Sequence, residues 1–219
     1  MRRWWIALGS LAAFCALAVC VHLGLLQTFD ATVRQWMRPD GAWGTTQEWA
    51  DLVVHALRPE LVSGLLVALS AGYCVKRRSL RPLVFVGGVG LLTVALTIGT
   101  KGVMARPDPH GLVVQSNGGS FPSGHTVAVM VCLGVAVLLA HPRAGRWVWL
   151  IPATGGGLVG AAMLLQAAHW STDVVGGALL ATSVLAVVIA LGWSRWLHQQ
   201  RRNDNADRLA DGSHLPTRA

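Results

Sequence analysis

What most limits the fold of this chain is a succession of apolar runs at 4–26, 61–75, 83–100, 121–140, 147–168 and 174–196, parted by short polar connections. In hydrocarbon no water pairs with backbone N–H and C=O groups, so a spanning segment must satisfy them within itself as a helix or close into a barrel. These runs are continuous rather than alternating, and most approach the ~20 residues of a spanning helix. The expectation is an all-α fold: a polytopic membrane bundle of six transmembrane helices. The run at 61–75, opened by Pro59, is the short one, about 22 Å at 1.5 Å per residue. The first run follows Arg2 and Arg3 but exceeds the apolar core of a secretion signal, so it reads as an uncleaved first helix.

Between the first two runs, residues 27–58 carry mixed charge together with Trp36, Trp43 and Trp49. There Trp49, Leu52, Val53, Ala56 and Leu57 recur at helical spacing, which predicts a short helix lying at the membrane interface. The bundle is expected to occupy 1–197, with 27–58 as an outer interfacial segment and 198–219 as a mobile, polar cytoplasmic tail.

The formal net charge of +8 does not point to nucleic acid, because the basic residues sit in short clusters at the ends of apolar runs. With six helices alternating across a bilayer and the N-terminus inside, thirteen of the eighteen Lys and Arg fall on the cytoplasmic side; Arg34, Arg38, Arg58, Lys101 and Arg106 remain outside. Both termini are therefore expected in the cytoplasm, and the 101–126 region shares the outer face with the turn His169-Trp170-Ser171-Thr172-Asp173. Cys15, Cys20, Cys74 and Cys132 lie within apolar runs, with no CxxC pair and no His at zinc-ligand spacing. Neither a disulfide framework nor a metal site is indicated, no cofactor is called for, and core packing is their expected role.

Two short motifs on that face carry chemistry. Ser120-Phe121-Pro122-Ser123-Gly124-His125-Thr126 sits where a polar loop meets an apolar run and reads as a helix mouth with Pro122 at the first helical position. The N–H groups of Ser123, Gly124 and His125 would then point outward, a ready site for phosphate with a titratable imidazole beside it. His169 and Asp173 are four residues apart. A carboxylate bonded to one imidazole nitrogen fixes the tautomer and leaves the other as nucleophile or base, although Ser171 or Thr172 could equally cap the last helix. Two imidazoles, a carboxylate and Lys101 on one face are the parts that phosphoryl transfer through a phosphohistidine needs.

Together these residues resemble the type 2 phosphatidic acid phosphatase superfamily, whose signature is K-x6-RP, then PSGH, then SR-x5-H-x3-D on six membrane helices. PSGH matches fully at Pro122 to His125, and H-x3-D matches at His169 and Asp173. The resemblance implies His169 as nucleophile, Asp173 as its orienter and His125 as the acid that protonates the leaving group. It implies Ser123, Gly124 and Lys101 as phosphate contacts. Two motifs are out of register: six residues after Lys101 stands Asp108-Pro109, with Arg106-Pro107 two positions early, and Ala162-Met163 replaces Ser-Arg. Arg106 is the candidate to supply the missing phosphate contact. The implied function is hydrolysis of a membrane lipid phosphate or isoprenoid (di)phosphate at the outer face of a bacterial cytoplasmic membrane. The alternative is a non-catalytic lipid-phosphate binder on the same fold. A transporter is disfavoured, because no ionisable residue stands near the middle of a span.

Overall fold

The computed structural model describes residues 2–111, 118–141 and 145–193. The expected tail at 198–219 and part of the 101–120 connection lie outside them. The described chain is all helical: α1 Arg2–His22, α2 Gln27–Met37, a 3-10 turn Pro39–Gly41, α3 Thr45–Ala56, α4 Pro59–Arg77, α5 Arg81–Met104, α6 Gly124–Ala140, α7 Trp147–Leu165 and α8 Ser171–Ala190. By length and composition α1, α4, α5, α7 and α8 can each cross a membrane, and α6 is a shorter apolar helix of 17 residues. These are the six expected spans. The short one proves ordinary, because α4 continues through Lys76 and Arg77 to 19 residues, about 28 Å.

α6 and α8 form the centre. α6 packs on α4, α7 and α8, and α1 lies along α8. Val127, Val129 and Val135 of α6 and Leu185 and Val188 of α8 are fully buried, whereas Leu65 of α4, Val84 and Leu91 of α5 and Leu158 of α7 are exposed. Such large apolar side chains facing outward suit a surface bathed in acyl chains rather than water. Small residues set the spacing inside: a Cβ on Gly155 or Gly156 of α7 would collide with Leu133 or Met130 of α6, so these glycines serve contacts within the chain. The cysteines meet the expectation of core packing only in part: Cys15 is exposed and Cys20, Cys74 and Cys132 are half-buried, with Cys132 packed against the core.

The interfacial segment is more structured than its mixed charge implied. α3 forms as its periodicity predicts and packs on α7; α2, unanticipated, packs on α7 and α8. The connection is pinned to the C-terminal end of α7, where Arg38 donates to the Gln166 carbonyl (2.8 Å) and the Gln166 amide donates to Asp51 (2.8 Å). α2 therefore lies against the end of the bundle where α7 finishes and α8 begins.

Candidate active site

The PSGH segment does not start its helix where the sequence suggested. Pro122 precedes the helix, Ser123 is the N-cap with its hydroxyl accepting from Thr126 N (3.5 Å) and Thr126 Oγ1 (3.2 Å), and Gly124 is the first helical residue. The reason lies outside the segment. Phe121 is buried, stacked on Phe14 of α1 with ring centroids 5.8 Å apart, and Ser123 N donates to the Asp173 carbonyl (2.9 Å). The Ser123 amide expected to point at a ligand is thus spent on the other motif, leaving the amides of Gly124 and His125 at the helix mouth. This contact needs Gly177, because a Cβ there would lie 2.8 Å from the Ser123 carbonyl oxygen.

His169 stands just ahead of α8 and Asp173 lies in its first turn, so the expected pairing forms across the helix start. His169 Nδ1 is 3.3 Å from Asp173 Oδ2, and Trp170 N donates to the same oxygen (3.0 Å). A carboxylate can only accept, so Nδ1 carries the proton and Nε2 is the nitrogen left for chemistry. Neither Ser171 nor Thr172 caps the helix. Both hydroxyls turn instead to Asp30.

Asp30 is the residue that sequence reasoning missed. It sits on α2, is 1% exposed, and receives Ser171 Oγ (2.6 Å), Thr172 N (3.0 Å), Thr172 Oγ1 (2.6 Å) and Arg106 Nη2 (2.6 Å). Burial alone would raise its pKa; the bonds from Ser171, Thr172 and Arg106 outweigh that and hold it below the usual carboxylate value. By bonding Thr172 N it also fills an orphan donor at the mouth of α8, where negative charge suits the helix dipole. The other end of the Arg106 guanidinium donates to Asp173 Oδ1 (2.6 Å) and Thr172 Oγ1 (2.7 Å), and its plane lies 5.4 Å from the Trp170 ring centroid.

One cavity of about 430 Å³ gathers the remaining groups: Lys101, Gly124, His125, Met163 and His169 all line it, with Glu60 at its rim. Lys101 belongs to the last turn of α5 rather than to the polar connection; its Nζ donates to the Gly119 carbonyl (2.6 Å) and its stem lies against Gly124. Gly119 adopts φ +126, and a Cβ would lie 2.7 Å from Arg106 N, so only glycine lets the two strands of this connection pass so closely. Of the predicted site residues, the structure brings Lys101, Gly124, His125 and His169 to the cavity wall, with Asp173 directly behind His169. Ser123 and Arg106 do not line it. Ser123 is consumed as a cap, and the two terminal nitrogens of Arg106 are held by Asp30, Thr172 and Asp173.

The family model of the PAP2 superfamily matches residues 7–197 of this chain. Among solved structures, the fold is similar to the crystal structure of the first transmembrane PAP2 type phosphatidylglycerolphosphate phosphatase from Bacillus subtilis. The identity is 22% and the TM-score 0.73, covering 85% of this chain and 96% of that one. No curated protein sequence matches.

Proposed function

Since the chain belongs to the PAP2 superfamily, we propose that it is a membrane phosphatase that hydrolyses a lipid phosphate or an isoprenoid (di)phosphate through a phosphohistidine on His169. The observation that carries this reading is the convergence of His169, backed by Asp173, with His125 and Lys101 on one cavity. Nε2 of His169 attacks phosphorus; the P–N bond forms as the bond to the lipid oxygen breaks, and His125 gives that oxygen a proton. Lys101 and the amides of Gly124 and His125 balance charge on the phosphoryl oxygens. Water then attacks the phosphohistidine and passes a proton to His125, and inorganic phosphate leaves. The outward orientation of the site is part of the proposal and rests on the partition of Lys and Arg.

The test is phosphate release by purified protein from short-chain phosphatidic acid and from a prenyl diphosphate. Turnover should appear with at least one of them and vanish in His169→Gln; a His169→Gln protein that hydrolyses as well as the natural one overturns the mechanism. A second reading has its own support: Met163 brings no charge to the cavity and Arg106 is engaged elsewhere, so a member that binds lipid phosphate without turning it over fits the same fold. Saturable binding of phosphate lipid with no release would decide for it.

A further inference from the structure

We propose that Asp30 is a positioning residue for His169, acting through Arg106 and Asp173, and that Arg106 serves as the shared counter-ion of two carboxylates rather than as a ligand for phosphate. The inference rests on the reading of His169 as nucleophile. The geometry is a row in which both carboxylates are buried: Asp30 to Arg106 (2.6 Å), Arg106 to Asp173 (2.6 Å) and Asp173 to His169 (3.3 Å). Each carboxylate takes one terminal nitrogen of the same guanidinium, and Thr172 Oγ1 accepts from Arg106 while donating to Asp30, which closes the row sideways.

The charges explain why a second acid is present. Arg106 alone with Asp173 would make a neutral pair, and a carboxylate already neutralised by a bidentate guanidinium is a poor acceptor for an imidazole N–H. Asp30 draws one nitrogen of Arg106 to itself. The group of two carboxylates and one guanidinium keeps a formal charge of −1 behind His169, which favours the developing positive charge on the ring as Nε2 attacks. The other ionisable groups facing the same cavity are His125 on α6, Lys101 on α5, Glu60 on α4 and Asp108 in the connection after α5. Lys101 interacts electrostatically with Asp173, whereas Arg106 is bonded to it directly. Asp30 also ties down Ser171 and both the amide and hydroxyl of Thr172, so the start of α8 that carries Asp173 is fixed from the same point.

The test uses full-length protein in detergent with four variants: Asp30→Asn, Asp30→Glu, Arg106→Gln and the double variant Asp30→Asn/Arg106→Gln. Two quantities are read: kcat and KM on short-chain phosphatidic acid, and the rate at which diethyl pyrocarbonate carbethoxylates His169, followed by mass spectrometry at constant pH. Asp30→Asn should lower kcat roughly 10–100-fold, by analogy with the loss of groups that orient metal-bound histidines from behind, with KM within about twofold, and slow carbethoxylation of His169. Asp30→Glu retains the charge and should react near the natural rate. In the double variant the charge behind His169 returns to −1, so carbethoxylation should recover above that of Asp30→Asn alone. A fall in KM in Asp30→Asn would mean that a released Arg106 binds phosphate, and overturns the proposal. So would a lowered melting temperature with unchanged kcat and carbethoxylation, or a double variant no more reactive than the single one. Absence of turnover by the natural protein sinks the phosphatase reading, while the carbethoxylation rates still judge Asp30.

Discussion

His125 and Met163 line the same cavity, and each supports a sharp expectation. If His125 protonates the leaving oxygen, its loss matters most when that oxygen leaves poorly. His125→Ala should slow hydrolysis of an alkyl phosphate by roughly 10²–10⁴-fold and that of an aryl phosphate much less; equal losses would show that it holds phosphate instead. Met163 is buried and lines the cavity beside Ala168 and His169. Met163 packs against Val129 and Val159, but an arginine there can extend into the cavity, whose lining includes the carboxylate of Glu60, so Met163→Arg should be accepted. Charge-assisted bonds to phosphate are worth about 1.5–3 kcal/mol, so inhibition by inorganic phosphate should tighten about tenfold or more; an unchanged inhibition constant would count against a phosphate site there. Much of this site was legible, because His169 and Asp173 are four residues apart and Gly124 and His125 are adjacent. Asp30 was not. Its partners Arg106 and Ser171 are remote in sequence, and an acid in a mixed-charge segment looks solvated until that segment is seen folded over the start of α8. The same remoteness hid the partners of Arg106, whose neighbour Pro107 suggests a displaced phosphate ligand and whose nitrogens are held by Asp30, Thr172 and Asp173.

Among the elements, those built on long-range hydrophobic pattern were readable, and those positioned by a partner were not. α3 follows from the spacing of Trp49, Leu52 and Val53. α2 does carry an apolar stripe, Phe29, Val33, Trp36 and Met37, but Phe29 and Trp36 are exposed and it is Asp30 that turns inward, so its place is set by Asp30 and by Arg38 reaching the end of α7. α6 begins two residues later than Pro122 suggested, because Ser123 is bonded to the backbone of Asp173 before the helix starts. The clasp between α2 and α8 has a measurable signature. A carboxyl whose folded pKa lies below its unfolded value of about 3.9 contributes stability that is complete above that unfolded value and is lost as pH falls through the folded one. Asp30 is such a group. The deficit in melting temperature of Asp30→Asn should therefore be steady from pH 8 to about pH 5 and shrink below about pH 4. A deficit that grows on acidification would contradict the clasp.

At the scale of the whole molecule, the number of spans was the easiest feature to read, since unbroken apolar runs admit few alternatives in a bilayer. The proposed orientation of the bundle rests on charge alone, and a single label can test it. A cysteine replacing the exposed His110, in a background lacking the four native cysteines, should react with an impermeant maleimide in intact cells; reaction only after lysis would reverse the orientation. The cavity has one further property. Val94 and Ile98 of α5 line it, yet are 52% and 60% exposed on the apolar outside of the bundle, so its wall continues into the surface that meets acyl chains. If the substrate is the membrane lipid proposed above, a molecule arriving along that wall travels in two dimensions and never dissolves in water. Catalytic saturation is then governed by the mole fraction of substrate in the film of lipid or detergent, and adding inert lipid at constant bulk concentration slows the reaction as effectively as removing substrate.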